Sequence, residues 1–150
     1  MRLRAIAATA FAALVLAPPA GAVIVVQNGI AGIRLAMTQA QVRAKLGKPR
    51  AVQHGKNDFG SFTQLRYRSL RVTFQGNRTV TAIRTTLPSE RTARGIGVGS
   101  TRAAVRARVA GVRCSSGHCF VGRFLPGRRV TDFLLRNSRV SAVVVGFVID

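Results

Sequence analysis

A segment of sixteen residues occurs twice in this chain of 150 residues, once at 32–47 and again at 95–110. Seven of the sixteen aligned pairs are identical: Gly32/Gly95, Ile33/Ile96, Thr38/Thr101, Ala40/Ala103, Val42/Val105, Arg43/Arg106 and Ala44/Ala107. A repeat of this kind indicates that one structural unit is used more than once. It constrains the fold more than any single motif in the chain.

Each copy of the segment predicts a short α-helix. Thr38 is a suitable N-cap, Gln41 three residues later completes a capping box, and Gly47 ends the helix. The second copy keeps the N-cap at Thr101 but has Ala104 where the box needs an acceptor. Helices of roughly two turns are unstable alone in water, so both must pack on other elements.

The segments after the first helix alternate between apolar and polar residues, which predicts strands. We expect a first strand at 51–54, a loop at 56–60, and further strands at 61–68, 70–74 and 79–86. In the strand at 70–74, Leu70, Val72 and Phe74 are expected to be buried.

The second half of the chain repeats the end of this pattern. Residues 74–83 align with 134–143, with identical pairs Asn77/Asn137, Val80/Val140 and Ala82/Ala142. The sequence therefore predicts an α+β fold of two tandem repeats, each a short helical segment followed by an antiparallel β-meander. Repeat 1 covers 23–87, repeat 2 covers 95–150, and 88–94 is a linker. Halves of about sixty residues are marginally stable alone, so we expect the repeats to share one core.

The sequence of residues 32–49, followed by that of residues 70–83, resembles the β-lactamase inhibitor protein fold. It is also similar to the outer-membrane assembly lipoproteins of the SmpA/OmlA type, which carry one copy. The resemblance covers essentially all of the chain after residue 22. It implies one curved antiparallel sheet with the helices on one face. Ala36 stands where the pattern usually has Gly, and Gly99 fills that place in the second copy.

The first 22 residues have the plan of a secretory signal peptide. Basic Arg2 and Arg4 precede an apolar run at 5–17, and the small residues 20–22 offer a cleavage site after Ala22. The alternative is a membrane anchor, but an apolar run of about thirteen residues is too short to cross a bilayer. We therefore expect an exported protein, secreted or associated with the cell envelope, whose mature chain begins at residue 23.

The charge of the chain is strongly unbalanced. Its formal net charge is +20, and removal of Arg2 and Arg4 with the leader leaves +18. Such an excess favours an anionic partner. Nearly all basic residues are arginines, whose planar guanidinium binds phosphate, sulfate or carboxylate with two hydrogen bonds at once. A GC-rich genome would also favour Arg over Lys, but it does not explain why only four residues are acidic.

The arginines of the two predicted meanders are the candidate anion-binding patch: Arg66, Arg68, Arg71, Arg84, Arg123, Arg128, Arg129, Arg136 and Arg139. The alternative is a solvated face without a ligand. The chain has eight Phe, one Tyr and no Trp, and lacks a row of aromatic residues for stacking bases. This composition disfavours sequence-specific binding of nucleic acid and leaves an anionic polymer, a membrane surface or an acidic protein as the partner.

Cys114 and Cys119 are the only cysteines, and an exported protein meets an oxidising compartment. We expect a local disulfide between them. The alternative is a metal site that uses both thiolates and His118, but a fourth ligand is missing.

His54 and His118 are the only histidines. If they converged on one phosphate, they could cleave RNA by acid/base catalysis; otherwise both are solvated loop residues. We assign no catalytic residue, metal or cofactor. The sequence thus predicts an exported, non-enzymatic protein that binds an anionic partner through arginines. An inhibitor or envelope assembly factor that docks by its sheet is the alternative, and a secreted ribonuclease is a more distant one.

Overall fold

The computed structural model describes residues 23–149, so the predicted signal peptide at 1–22 and the last residue, Asp150, lie outside the described residues. The described part is mostly β-structure with two short helices, an α+β arrangement. The helices are α1 (Gln39–Leu46) and α2 (Arg102–Arg108). The strands are β1 (Ile24–Val25), β2 (Gly29–Ile30), β3 (Ile33–Arg34), β4 (Ala51–Asn57), β5 (Gly60–Arg66), β6 (Leu70–Gln75), β7 (Ala82–Thr85), β8 (Arg113–Ser115), β9 (His118–Val121), β10 (Arg129–Arg136) and β11 (Arg139–Phe147).

Eight strands form one antiparallel sheet in the order β4-β5-β6-β7-β11-β10-β9-β8. Each half of the chain supplies four consecutive strands, and the last strand of each half, β7 and β11, meet in the middle of the sheet. Their register pairs Ile83 with Val145 and Thr85 with Val143. The short strands β1, β2 and β3 form a separate three-stranded sheet near β7 and β11.

Alternating side chains give the eight-stranded sheet one buried face. In β6, Leu70, Val72 and Phe74 are buried, as predicted, and the residues between them point the other way. A single hydrophobic cluster contains Val72 and Phe74 together with Phe133 and Val143 from the second half of the chain. We call the opposite side of this sheet the outer face.

Both helices begin at the predicted threonine N-caps. In α1, Thr38 Oγ1 accepts from the Gln41 amide at 3.2 Å, and Gln41 Oε1 accepts from the Thr38 amide at 2.9 Å, which confirms the capping box. In α2, Thr101 Oγ1 accepts from the Ala104 amide at 3.1 Å. The alanine side chain has no acceptor for the Thr101 amide, so the capping box is incomplete. Val42 and Val105 are fully buried, so each short helix is stabilised by packing on the core.

The chain just before each helix pairs with a later strand segment in the same way. The Ala36 amide donates to the Val80 carbonyl at 2.9 Å, and the Val80 amide donates to the Met37 carbonyl at 2.8 Å. In the second half, the Gly99 amide donates to the Val140 carbonyl at 2.7 Å, and the Val140 amide donates to the Ser100 carbonyl at 2.8 Å. Residues at the same places in the sequence repeat therefore make the same main-chain contacts.

Several predicted strand boundaries were wrong. The strand expected at 61–68 is β5 and ends at Arg66, because the Tyr67 amide already donates to the Leu70 carbonyl in the turn to β6. The loop expected at 56–60 is a tight hairpin, because Gln75 Nε2 donates to Asn57 Oδ1 and to the carbonyls of Phe59 and Ser61, at 2.9 to 3.2 Å. This extends β4 to residue 57. The strand expected from residue 79 begins at Ala82, because Val80 pairs with the segment before α1 instead of with β6.

Candidate anion-binding surface

Three arginines lie side by side across the first half of the outer face. Because Leu65, Val72 and Ile83 point into the core, the residues beside them, Arg66, Arg71 and Arg84, point outward. The register places Arg66 opposite Arg71 and Arg71 opposite Arg84. Neighbouring strands are roughly 4.8 Å apart, so these side chains start from adjacent positions on three strands.

A fourth arginine, Arg68, follows in the turn between β5 and β6. Together with Arg66, Arg71 and Arg84 it lines a depression of about 150 Å³, completed by Tyr67, Ser69 and Thr86. We call these four arginines the four-arginine site. All four were among the nine arginines predicted from the sequence, and the structure brings them together.

The positive charge of the four-arginine site has no acidic partner among residues 23–149. Arg66 instead donates to neutral amides, from Nη2 to Gln53 Oε1 at 2.5 Å and from Nε to Gln64 Oε1 at 3.2 Å. Like charges directly opposite each other in a sheet are destabilising. An oxyanion placed over the row would relieve this repulsion.

The other five predicted arginines are exposed and lie elsewhere. Arg123 and Arg128 belong to the connection between β9 and β10, and Arg129 is the first residue of β10. The remaining two, Arg136 and Arg139, flank the β10–β11 turn. At the β10–β11 turn, Arg139 Nη1 donates to the Gly99 carbonyl at 3.1 Å. The nine residues therefore form separate groups and not one continuous patch.

The group around the β10–β11 turn includes residues that the patch predicted from the sequence left out. Arg139 lines a depression of about 470 Å³ together with Arg102 and Arg106 of α2. Arg102 and Arg106 are four positions apart on α2, where like charges repel, and only the fold brings them to Arg139, thirty-three or more positions away.

On the second half of the sheet, the outer-face row that contains Arg66, Arg71 and Arg84 changes character. The register continues the row through Val144, Asp132 and Phe120 to Arg113. The Arg113 guanidinium lies 5.0 Å above the Phe120 ring, and the Phe124 ring packs edge-on against Phe120 at 4.8 Å. This aromatic cluster was not predicted.

The two histidines lie in strands and not in loops; His54 is exposed, and His118 is partly buried. His118 Nδ1 is 3.1 Å from both carboxylate oxygens of Asp132, on the outer face. His54 Nδ1 is 3.0 Å from Thr63 Oγ1, at the other edge of the sheet and on the core side. Six strand steps separate them, or roughly 29 Å. They cannot act together on one phosphate.

Cys114 and Cys119 form the predicted disulfide, joining paired residues of β8 and β9. Both sulfurs are thereby unavailable as thiolate ligands, and within residues 23–149 no three His, Cys, Asp or Glu side chains are grouped for a metal ion. The disulfide fits a protein of an oxidising compartment. No helix in this part of the chain has the length and apolar character needed to span a membrane.

No protein-family model matches the sequence, and no curated protein is significantly similar to it. Among solved structures, the chain is similar to a DUF4309 family protein (YjgB) from Bacillus subtilis. The sequence identity is 15%, the match covers 73% of this chain and 78% of that chain, and the TM-score is 0.38. Similarity at this level assigns neither family nor function.

Proposed function

We propose that this chain is an exported, non-enzymatic binding protein that uses arginines to bind an anionic partner. The observation that carries the proposal is the row of Arg66, Arg71 and Arg84, which lie opposite one another without an acidic partner among the described residues. Repulsion in such a row lowers stability unless a ligand offsets it.

The chemistry of the site favours an oxyanion. Each guanidinium offers two parallel N–H donors to a phosphate, sulfate or carboxylate. Arginines on strands roughly 4.8 Å apart can share one such group or hold successive groups of a polymer. Gln53 and Gln64 hold the Arg66 guanidinium in place before a ligand arrives, which lowers the entropic cost of binding.

The plan of residues 1–22 supports export, and the Cys114–Cys119 disulfide is compatible with it. An envelope polymer, a layer of lipid head groups or an acidic protein would all be available to an exported chain with a net charge of +18 after loss of the leader. We assign the four-arginine site to the group that these partners share, an exposed oxyanion.

We also propose that the two halves are copies of one unit, packed as a single curved sheet with the helices on one face. The sequence repeat supports this, as do the matching bonds of Val80 and Val140 to the segments before α1 and α2. The same architecture is what the resemblance to the β-lactamase inhibitor protein and SmpA/OmlA folds implies.

A second function has one observation in its favour. The cluster of Phe120, Phe124 and Arg113 on the outer face has the composition of a protein-docking surface, since aromatic residues and arginine are enriched in interfaces. An inhibitor or assembly factor that docks by its sheet would use this half. The ribonuclease alternative keeps no support, because it needed His54 and His118 close together.

The test compares two triple variants with equal charge loss. Arg66→Gln, Arg71→Gln and Arg84→Gln together should weaken binding to immobilised inorganic polyphosphate at least about tenfold, because charge-assisted hydrogen bonds are lost. The control variant replaces three other arginines with glutamine: Arg34, Arg78 and Arg94. These are exposed and lie outside the predicted patch. It should weaken binding by less than about threefold at the same ionic strength.

The dependence on salt separates a local site from a general effect of charge. The logarithm of the affinity falls with the logarithm of the salt concentration in proportion to the contacts made with anionic groups. The site variant should reduce this slope by about 2 to 3, and the control variant by much less. Equal losses in the two variants would show that net charge, and not this site, binds the polymer.

A further inference from the structure

The connection between β9 and β10 presents two large apolar side chains to solvent. Phe124 is 48% exposed and its neighbour Leu125 is 49% exposed. Three exposed arginines, Arg123, Arg128 and Arg129, flank them, and no acidic residue occurs between Val121 and Asp132. We call residues 122–129 the basic-apolar loop.

The backbone of this loop is held in place by hydrogen bonds. The Leu125 amide donates to the Arg123 carbonyl at 2.9 Å, and the Arg128 amide donates to the Leu125 carbonyl at 3.0 Å. Val148 fixes the loop to the end of β11 by donating to the Arg128 carbonyl and accepting from the Gly127 amide, both at 2.9 Å. Phe124 and Leu125 are thus presented by an ordered backbone.

The aromatic cluster of Phe120, Phe124 and Arg113 holds the N-terminal part of the loop, as Val148 holds its C-terminal part. The Phe124 ring packs against Phe120, and Arg113, which lies over Phe120, donates from Nη2 to the Gly122 carbonyl at 2.6 Å. Fixing the loop before binding lowers the conformational entropy that a partner must remove.

A basic depression of about 520 Å³ lies beside the exposed apolar pair. Arg123, Arg128 and Arg129 line it together with Gln27 and Phe147, and the Arg129 guanidinium lies 5.6 Å above the Phe147 ring. The loop therefore combines donors for a phosphate with an adjoining apolar tip.

We propose that the basic-apolar loop binds the surface of an anionic phospholipid bilayer. The three arginines would bind head-group phosphates, and Phe124 and Leu125 would enter the region where head groups meet acyl chains. A basic side chain near such a surface strengthens binding roughly fivefold, and burial of a large apolar side chain roughly tenfold. The inference rests on the proposed function only for the anionic nature of the partner, because it uses residues outside the four-arginine site.

Insertion can be followed with one fluorescent reporter, because the chain has no tryptophan. Phe124→Trp should shift its emission to shorter wavelength when vesicles of equal parts phosphatidylglycerol and phosphatidylcholine are added, and not with pure phosphatidylcholine. Phe59→Trp is the matched control: Phe59 is 51% exposed at the β4–β5 hairpin, but its neighbour is Asp58. Its emission should stay unchanged. No shift at position 124, or equal shifts at both positions, would overturn the proposal.

Vesicle sedimentation gives a second readout. Phe124→Ser with Leu125→Ser should weaken binding to the phosphatidylglycerol vesicles at least about tenfold, while Phe59→Ser changes it less than about twofold. The double variant should keep the wild-type affinity for soluble polyphosphate. Equal vesicle binding by the double variant and the wild type would contradict the lipid assignment.

The two proposals fail in different ways. A wild-type protein that binds polyphosphate but no phosphatidylglycerol vesicles overturns the lipid surface as partner and leaves the four-arginine site standing. A wild-type protein that binds neither overturns the proposed function as well. Retention by an acidic protein, without retention by vesicles, would mean that the loop belongs to a protein interface instead.

Discussion

Tyr67, the only tyrosine of the chain, borders the four-arginine site. It lines the site between Arg66 and Arg68, and its hydroxyl donates to the Gly47 carbonyl at 3.2 Å. Burial raises the pKa of Tyr67 above 10.0, and the positive charge of Arg43 partly opposes that rise. The phenol therefore holds its proton more tightly in the folded chain than in the unfolded chain.

Ultraviolet absorbance of the phenolate should show this difference. The folded protein should titrate above the midpoint of the urea-unfolded chain, and Arg43→Gln should move the folded midpoint further up because the opposing charge is gone. Tyr67 therefore contributes stability that is fully present below pH 10.0 and is lost as the pH rises through the folded pKa. Tyr67→Phe should remove that loss. A folded midpoint at or below the unfolded one would contradict the burial of Tyr67.

At the scale of elements, the same turn leads into both helices but is built from different residues. Gly99 has φ 90° before α2, and Ala36 has φ 68° before α1. A Cβ added at Gly99 would contact nothing within 4 Å, so the cost of a side chain there is purely conformational. Left-handed backbone costs a non-glycine residue about 1 to 2 kcal/mol.

Gly99→Ala should therefore lower the free energy of unfolding by about 1 kcal/mol, measured by urea denaturation. Ala36→Gly should leave stability unchanged or raise it by less than about 1 kcal/mol, since relief of strain is offset by the greater freedom of glycine in the unfolded chain. A gain in stability from Gly99→Ala, or a loss of stability from Ala36→Gly, would mean that the turns before α1 and α2 are not equivalent.

The features predicted correctly from the sequence depend on residues close together in the chain. The capping box of Thr38 and Gln41 spans three residues, and the buried face of β6 follows from alternation within six. The errors come from distant partners. Gln75 extends β4 through bonds to the β4–β5 hairpin, and Val80 delays β7 by pairing with the chain near Met37. No local pattern contains those contacts.

The candidate site divides in the same way. Alternation within β5, β6 and β7 was enough to place Arg66, Arg71 and Arg84 on an outer face. The register that sets them opposite one another was not visible, and neither was the contact of His118 with Asp132, fourteen positions apart. The i, i+4 spacing of Arg102 and Arg106 places them on one face of a helix, but the third member of their group, Arg139, comes from another element.

At the scale of the whole molecule, the outer face has two chemically different halves. One row of paired residues runs across the outer face from strand to strand. In the first half it consists of Arg66, Arg71 and Arg84, and in the second half it continues with Val144, Asp132 and Phe120. One half is suited to a charged ligand, and the other adjoins the basic-apolar loop. A charge excess this large also draws anions from a distance, so location of the bound anion is a stricter test than affinity.

Nuclear magnetic resonance of the arginine side chains, titrated with tripolyphosphate, measures that location directly. We predict that the Nε–Hε signals of Arg66, Arg71 and Arg84 shift first and saturate together, while those of Arg34, Arg78 and Arg94 move little and without saturation. Equal, unsaturated shifts at all six arginines would show that the protein attracts anions by its overall charge, and would contradict a binding site on the sheet.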